Sequence, residues 1–371
     1  MFNLNFKNNY RVVHINNELG NCIIGGAGTY MNELYKYRTE DTGFIYMGLG
    51  SPTDDYNVTD FMEQKDILIM NKDEAYKLAD INCEVLVVQF YEFASLLDED
   101  IIKNKTLAYV IHSVPTPEPP PPWDPFGGNH DIREKFEKLC ELASVLVCVS
   151  EAEKEKLSKI YPQYEEKIEV VHNGITYDIS TSLNVNYKHS RKVFGYIGRT
   201  DYRKGIYESI KAFSKIDAKY KLACPKNDVA YIERLFTYID AANMWDKVDF
   251  CGWCVGERKE NFLNSLDALV IPSLYEPFGY VALEAMQRGL PVICSNNGGL
   301  DEILEGYKYK YSPYVEGELE KTISEFMEDG IETVEKQQKI LLNNLARFSA
   351  IQMAKRYDEI WASYGGVTYE V

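Results

Sequence analysis

Short apolar runs alternate with helix-like stretches along most of the chain, and this alternation limits the fold more than any other feature. Val12-Val13-His14-Ile15, Phe44-Ile45-Tyr46, Ile67-Leu68-Ile69, Val85 to Val88, Leu107 to Ile111, Val145 to Val149 and Glu169-Val170-Val171 read as strands. Tyr30 to Tyr37, Ile132 to Ala143 and Glu151 to Ile160 read as helices between them. Strands that are apolar on both faces and alternate with helices predict parallel sheets covered by helices on either side. The polar stretch Thr181 to Arg191 has no period and marks a boundary, giving domains 1–185 and 190–350. Beyond it the alternation restarts, with strands at Val193–Ile197, Tyr220–Ala223, Val248–Phe250, Ala268–Ile271 and Pro291–Cys294. Helices at Ile206–Ile216, Asp228–Ala241, Glu257–Leu266 and Tyr280–Arg288 separate these strands. Two consecutive doubly wound α/β units predict a ligand cleft at the carboxyl ends of both sheets.

A chain of 371 residues is comfortable for two such cores. No apolar run is long enough to span a bilayer, and Met1 to Arg11 lacks a secretory pattern. Eight scattered cysteines read as reduced thiols of a cytoplasmic protein. The charge balance, 40 − 57 = −17, argues against a nucleic-acid partner and against tight docking on an anionic membrane.

Chemistry concentrates in Pro272-Ser273-Leu274-Tyr275-Glu276-Pro277-Phe278-Gly279-Tyr280-Val281-Ala282-Leu283-Glu284-Ala285. A buried strand ends at Pro272, a Pro-broken loop carries Glu276, and a helix opens near Gly279. Glu284 then lies about a turn inside that helix, and the amides of Phe278 to Tyr280 form an anion site. Taken singly, both glutamates could be simply solvated. Gly195-Tyr196-Ile197-Gly198-Arg199 leads to Arg203-Lys204-Gly205 and another helix. Cations at a helix N-terminus oppose the macrodipole, which makes sense if an anion lies between them; a solvated basic turn is the alternative. Gly25-Gly26-Ala27-Gly28 lets backbone approach a ligand closely, or is merely a tight turn. It has neither dinucleotide nor P-loop spacing.

The segment 272–285 closely resembles the signature of the family-4 glycosyltransferases and their glycogen/starch-synthase relatives: two glutamates with seven residues between them, and Pro-Phe-Gly after the first. The likeness continues through Gly289-Leu290-Pro291-Val292-Ile293 and Gly298-Gly299-Leu300-Asp301-Glu302-Ile303. It implies a GT-B architecture of two Rossmann-like domains. Donor would bind mainly to the second domain and acceptor mainly to the first, with the final segment 351–371 packing back on the first. It implies retention of anomeric configuration, with a nucleotide-diphosphate sugar, a UDP-sugar by family frequency, as co-substrate. No metal and no other cofactor are expected. The resemblance assigns Glu276 to the reacting sugar, Glu284 to the donor ribose, and Arg199 and Lys204 to the donor diphosphate. It assigns the amides of Phe278, Gly279 and Tyr280 to phosphate and sugar, and Gly25, Gly26 and Gly28 to the donor's phosphates. Gly198 falls with Arg199, and Gly252 matches a glycine near the base. His112, at the end of Leu107–Ile111, matches a histidine close to the sugar's hydroxyl face; a structural histidine is the bland alternative. Asn173-Gly174 matches an Asn-Gly turn, or is an ordinary turn. Asn16, Tyr30, Trp123 and Asn173 are the candidate acceptor contacts.

The Pro-rich run Val114 to Pro125 is expected to be a stiff extended loop, serving as an acceptor lid or as a surface connector. Cys251-Gly252-Trp253-Cys254 has redox-motif spacing in the wrong context and is incidental. Asp98-Glu99-Asp100 follows a helix-like pattern and reads as a solvated acidic turn. The five histidines make no metal spacing. The function read from the sequence is hexosyl or N-acetylhexosaminyl transfer to the hydroxyl of an unknown glycan, small-molecule or lipid-linked acceptor, in glycan, polysaccharide or glycoconjugate biosynthesis. Glycogen-synthase-like α-glucan elongation, a sugar-nucleotide epimerase and a non-catalytic sugar-nucleotide binder are its rivals.

Overall fold

Residues that are apolar on both faces of a strand can only be satisfied in the middle of a layered structure, and the chain builds two such layers. A computed structural model describes residues 6, 9–19, 25–48, 66–115, 130–177, 193–225 and 228–364. Trp123, the Pro-rich run beyond Pro115 and the stretch Thr181 to Arg191 lie outside the described residues. These divide into two compact units: 6–115, 130–176 and 349–364 in the first, and 177–348 in the second.

The first unit is organised by β1 (Tyr10–Asn16), β2 (Thr42–Gly48), β3 (Ile67–Asn71), β4 (Cys83–Val88), β5 (Thr106–Ile111), β6 (Val145–Cys148) and β7 (Ile168–Val170). They form one parallel sheet in the order β3-β2-β1-β4-β5-β6-β7. Helices α1 (Gly26–Lys36), α2 (Glu99–Ile102), α3 (His130–Leu142) and α4 (Glu151–Ile160) alternate with the strands. Val13, Ile15, Leu86, Val88, Ile111, Phe136 and Leu139 are wholly buried in the core. Each such side chain contributes roughly 1.5–3 kcal/mol by leaving water.

Two local differences from the sequence reading have plain causes. The acidic triplet at 98–100 is a helix start: the Asp98 carboxylate accepts from the Ile101 amide at 3.0 Å, and Glu99 and Asp100 occupy the first turn of α2. Helix α1 starts at Gly26 and not at Tyr30, because a carboxylate from upstream caps the glycine turn. Short 3-10 segments at Lys72–Asp80, Tyr91–Ser95 and Pro162–Lys167 have no hydrophobic period to announce them.

The second unit holds β8 (Val193–Ile197), α5 (Ile206–Ser214), β9 (Lys219–Ala223), α6 (Val229–Ala241), β10 (Val248–Phe250), α7 (Glu257–Asn264) and β11 (Ala268–Ile271). It continues with α8 (Tyr280–Met286), β12 (Val292–Ser295), α9 (Gly299–Ile303), β13 (Lys310–Tyr311), α10 (Glu318–Glu328) and α11 (Ile331–Leu345). Its parallel sheet runs β10-β9-β8-β11-β12-β13. In both units the strand order reverses once, between β1 and β4 and between β8 and β11. Such a reversal opens a crevice at the carboxyl ends of the two strands, where ligands bind in folds of this kind.

The chain leaves the first unit after Thr176 and returns at Ser349 to form α12 (Ala350–Tyr364). Ile175 and Ser349 make a parallel bridge, and the Ala350 amide donates to the Ile175 carbonyl at 3.2 Å. Gly174 is obligatory there, since a Cβ would stand 2.5 Å from the Ser349 backbone. The buried Glu33 carboxylate fixes the exit by accepting from both the amide and the hydroxyl of Thr176. Met353, Tyr357 and Trp361 of α12 are buried in the first unit. No described helix is long and apolar enough to cross a membrane.

Candidate functional site

The loops that follow β8 and β11 bring together most of the charged residues singled out in the sequence. After β8, Gly198 donates its amide to Ala223 at 3.2 Å, and the Tyr196 hydroxyl curls back to the Arg199 carbonyl at 2.6 Å. That hydroxyl would lie 2.5 Å from a Cβ at position 198, so any larger residue has to push the Tyr196 ring aside. Asp201 pairs with Arg199 at 3.7 Å and with Arg203 at 3.6 Å. The turn closes at Gly205 with φ +63°, where a Cβ would fall 1.9 Å from the Pro272 carbonyl oxygen. Beside it the Leu274 amide donates to the Arg203 carbonyl at 2.7 Å, tying the two loops into one surface.

This surface sets Lys204 against Glu276. Lys204 Nζ lies 2.6 Å from Glu276 Oε2, with the side chains 19% and 15% exposed. The Ser273 hydroxyl donates to the same oxygen at 3.0 Å. The Glu276 backbone is held from the other side by the loop after β12: its carbonyl accepts from Gly299 at 2.9 Å, and Gly298 bridges it. Gly298 has φ +80°, and a Cβ there would meet the Glu276 carbonyl at 2.2 Å. Asn297 Nδ2 donates to the Leu274 carbonyl and, at 3.1 Å, to the Tyr314 hydroxyl, which clamps the same loops. Phe278 is buried, Gly279 caps α8, and Tyr280 is its first residue.

Glu284, in α8, is 7% exposed. Its Oε1 pairs with Lys259 Nζ, while its Oε2 is buried with no hydrogen-bond partner among the described residues. A buried carboxylate oxygen without a donor is costly and marks a place where a ligand hydroxyl would be welcome. Gly252, with φ +71°, follows β10, and Arg258 donates to the neighbouring Cys251 carbonyl at 3.2 Å. Cys251 and Cys254 are free thiols.

In the first unit the expected residues gather around a different crevice, at the ends of β1, β4 and β5. His112 Nε2 lies 3.0 Å from Gln89 Oε1, and Gln89 Nε2 lies 3.1 Å from His14 Nδ1. The His112 ring stacks on Phe90, with centroids 5.8 Å apart, and meets the edge of Tyr30 at 5.0 Å. Burial lowers the His112 pKa to about 4 and that of His14 to about 3. Tyr30, expected at the acceptor, is wholly buried, so it supports the His112 ring from behind instead. Asn16 is likewise buried, donating to the Ile45 carbonyl at 3.3 Å, and Asn173 is buried in its turn. The side-chain oxygens of both have no partner among the described residues.

The glycine turn already holds an anion of the chain's own. Glu18 Oε2 accepts from the Gly25 amide at 3.0 Å and from the Gly28 amide at 2.9 Å, with Gly26 between them opening α1. Any ligand phosphate expected at these amides would have to displace that carboxylate.

Ser273, Lys259, Asn297, Tyr314 and Gln89 were not singled out by pattern. Ser273 sits inside the quoted segment, three residues before its partner, and is the one that spacing could have exposed. Lys259 and Gln89 meet residues far along the chain and left no such trace. No three described His, Cys, Asp or Glu side chains group as a metal-ligand set.

Two Rossmann-like units in one chain, with paired cations and carboxylates at the strand-order reversal of the second, define the GT-B architecture of the glycosyltransferases. Solved structures agree on the fold: Anabaena HepE in complex with UDP and glucose superposes with a TM-score of 0.74 at 18% identity, over 95% of this chain and 100% of that one. Residues 182–343 match the family model described as "Glycosyl transferases group 1", and the chain carries a glycosyltransferase domain of that group. An uncharacterized glycosyltransferase of Methanocaldococcus jannaschii is 37% identical over 175 residues, 43% of this chain and 44% of the relative. The matched region thus spans less than half the length of that relative. Alpha-maltose-1-phosphate synthase of Mycobacterium tuberculosis is 23% identical over 330 residues, 79% of this chain and 82% of the relative.

Proposed function

We propose that the chain transfers a hexose or N-acetylhexosamine from a nucleotide-diphosphate sugar, with a uridine base, to a hydroxyl acceptor, retaining anomeric configuration and using no metal ion. The observation that carries the proposal is the assembly at the reversal between β8 and β11, where Lys204, Arg199 and Glu276 share one surface and Glu284 offers an unpartnered buried oxygen. Glu284 Oε2 accepts from a ribose hydroxyl. Lys204 exchanges Glu276 for the diphosphate, and Arg199 joins it there. Glu276 is left beside the transferred sugar, still held by Ser273. The bond between the anomeric carbon and the diphosphate oxygen breaks with its electron pair going to the diphosphate. That oxygen takes the proton of the acceptor hydroxyl as the acceptor oxygen bonds the same face of the carbon. Fixed cations stabilise the charge that accumulates on the leaving group. The bound UDP of the HepE structure supports uridine as the base. Seven described cysteines are free thiols, which supports a cytoplasmic setting.

The likeness to a glycogen synthase of Mycobacterium tuberculosis, 32% identical over 109 residues, favours one second reading, α-glucan elongation, and the ADP bound to Arabidopsis starch synthase IV supports an adenosine donor for it. Melting curves with UDP, GDP and ADP and their glucose conjugates, all in EDTA, separate the two. A ligand at one hundred times its Kd adds about 2.7 kcal/mol to the native state. Stabilisation by the uridine pair alone is expected; a response to ADP and ADP-glucose alone overturns the uridine assignment. Stabilisation that appears only after a divalent metal is restored overturns metal independence. Proton NMR of the product is expected to show the anomeric configuration of the donor, and an inverted product removes the retaining mechanism.

A further inference from the structure

Gln89 is the first residue beyond β4, and β4 pairs with β1 where the strand order of the first unit reverses. His14, on β1, stands beside Val87 in the register of that pair, and His112 is the first residue beyond β5. The fold therefore sets one amide between two imidazoles at a crevice of the kind that binds ligands. Gln89 is 1% exposed and His14 likewise, so neither exchanges its partner for water.

A primary amide has one donor end and one acceptor end, and a neutral imidazole has one of each. Gln89 Nε2 donates to His14 Nδ1 at 3.1 Å, which requires that nitrogen to be bare. Gln89 Oε1 accepts at 3.0 Å from His112 Nε2, which must then carry the proton. Turning the amide over would demand the opposite tautomer on both rings at once. The rings cannot swing to escape this, because Tyr30 and Phe90 pack on His112 while Phe44 and Trp361 pack on His14.

We infer that Gln89 is a positioning residue that fixes His112 as its Nε2–H tautomer and so presents a bare Nδ1 to accept a hydrogen bond from a hydroxyl of the transferred sugar. This rests on the proposed transfer of a sugar and on the place beside its hydroxyl face that the family resemblance implies for His112. No partner for that Nδ1 is found among the described residues. Among the described residues, the titratable groups facing the two rings are Tyr30 at His112 and, around the small cavity beside His14, Arg38, Tyr357 and Asp358. Burial keeps both rings neutral near pH 7, in keeping with the assignment.

The test uses the full chain labelled with 15N-histidine, with UDP and UDP-glucose as probes. Long-range proton–nitrogen spectra, assigned with His112→Ala, are expected to show His112 protonated at Nε2 and bare at Nδ1 at pH 7. Nδ1–H at His112 in the unaltered protein overturns the inference without recourse to any variant. Gln89→Leu is expected to mix the tautomers and lower turnover of UDP-glucose about tenfold, a change of about 1.4 kcal/mol, while UDP, which lacks the sugar, binds within twofold of before. Gln89→Glu places an acceptor-only group against both rings and raises both imidazole pKa values. His112 Nδ1 then carries a proton at low pH, so turnover acquires an acid limb that recovers as pH rises; a purely structural role gives no such limb. Unchanged tautomer and turnover in Gln89→Leu also overturn the inference. Full turnover in His112→Ala, with its partner spectra intact, defeats instead the reading of the site on which the inference rests.

Discussion

Glu276 meets the solvent with its own counter-ion in place, and the pair it forms with Lys204 has consequences for both binding and stability. A largely buried ion pair that loses one member leaves the other charge uncompensated, a cost that reaches ~3–5 kcal/mol when burial is complete. Lys204→Ala is therefore expected to lower the melting temperature as well as abolish transfer. Glu276→Gln, which keeps an acceptor for Ser273 and Lys204, is expected to melt within a few degrees of the unaltered protein while losing most turnover. Equal melting of all three proteins would show the pair to be broken in solution. Glu284 calls for a different experiment. Its free oxygen predicts that Glu284→Ala weakens UDP roughly tenfold to a hundredfold, the range for a hydrogen bond to a charged group, read by calorimetry. 2′,3′-Dideoxy-UDP should bind the two proteins alike; a variant that weakens both ligands equally places Glu284 away from the ribose.

At the scale of elements, what matters is how loops are held at strand ends. Helix α4 does this for the segment after β5. Glu153 is wholly buried in its first turn, its amide capped by Ser150 at 3.1 Å, and its carboxylate accepts from the Val114 amide. Lys156 then donates to the Val114 carbonyl at 2.7 Å. Val114 is thus gripped on both sides, two residues beyond His112. Glu153→Ala is expected to destabilise the chain by about 1–3 kcal/mol in urea unfolding, as for a buried donor left unsatisfied; no change in the midpoint would show Val114 held by other means. Gly205→Ala should cost more than the ~1–2 kcal/mol of a left-handed alanine, because its Cβ would collide with Pro272.

These cases also mark what the sequence could tell. Strands such as Val85 to Val88 and Val145 to Val149 were legible because burial on both faces leaves nothing but apolar side chains. The loops at 198–205 and 272–279 were legible because glycine and proline record backbone constraint locally, as the contacts of Gly205 and Gly298 make clear. Partnerships such as Gln89 with His14, or Lys259 with Glu284, leave no period and no backbone mark. Each half is an unremarkable polar residue until the topology brings them together. Tyr30 shows the limit from the other side: a hydroxylated ring near a glycine loop suits a surface contact, and nothing in the sequence announces that its ring packs edge-on against His112.

The molecule as a whole should respond to acid through two neutral imidazoles, His14 buried and His112 half-buried. Both have folded pKa values below the ordinary 6.5, so the unfolded chain binds more protons as pH falls beneath that value. Stability is thus fully present above about pH 6.5 and is lost as pH falls towards about 4 and then about 3. Glu92, Glu208 and Asp358, whose carboxyl pKa values are raised mainly by burial, oppose this loss as pH falls, so the imidazole part is read between pH 6.5 and 5 as the difference between proteins with and without His112. Melting temperature is expected to fall across that window in the unaltered protein and to be flatter in His112→Phe. A flat profile in both would mean that neither ring is kept neutral.

The bridge between Ile175 and Ser349 makes the second unit a guest whose entrance and exit share one doorway. Everything from Tyr177 to Phe348 hangs between two neighbouring backbone positions of the first unit, which Glu33 and Gly174 hold fixed from within. A unit with the same two ends is exchangeable here as a cassette, because Ile175 and Ser349 already lie side by side. With the donor held by the second unit as proposed, a change of donor comes by graft rather than by gradual substitution, with the host sheet and its histidines carried over untouched.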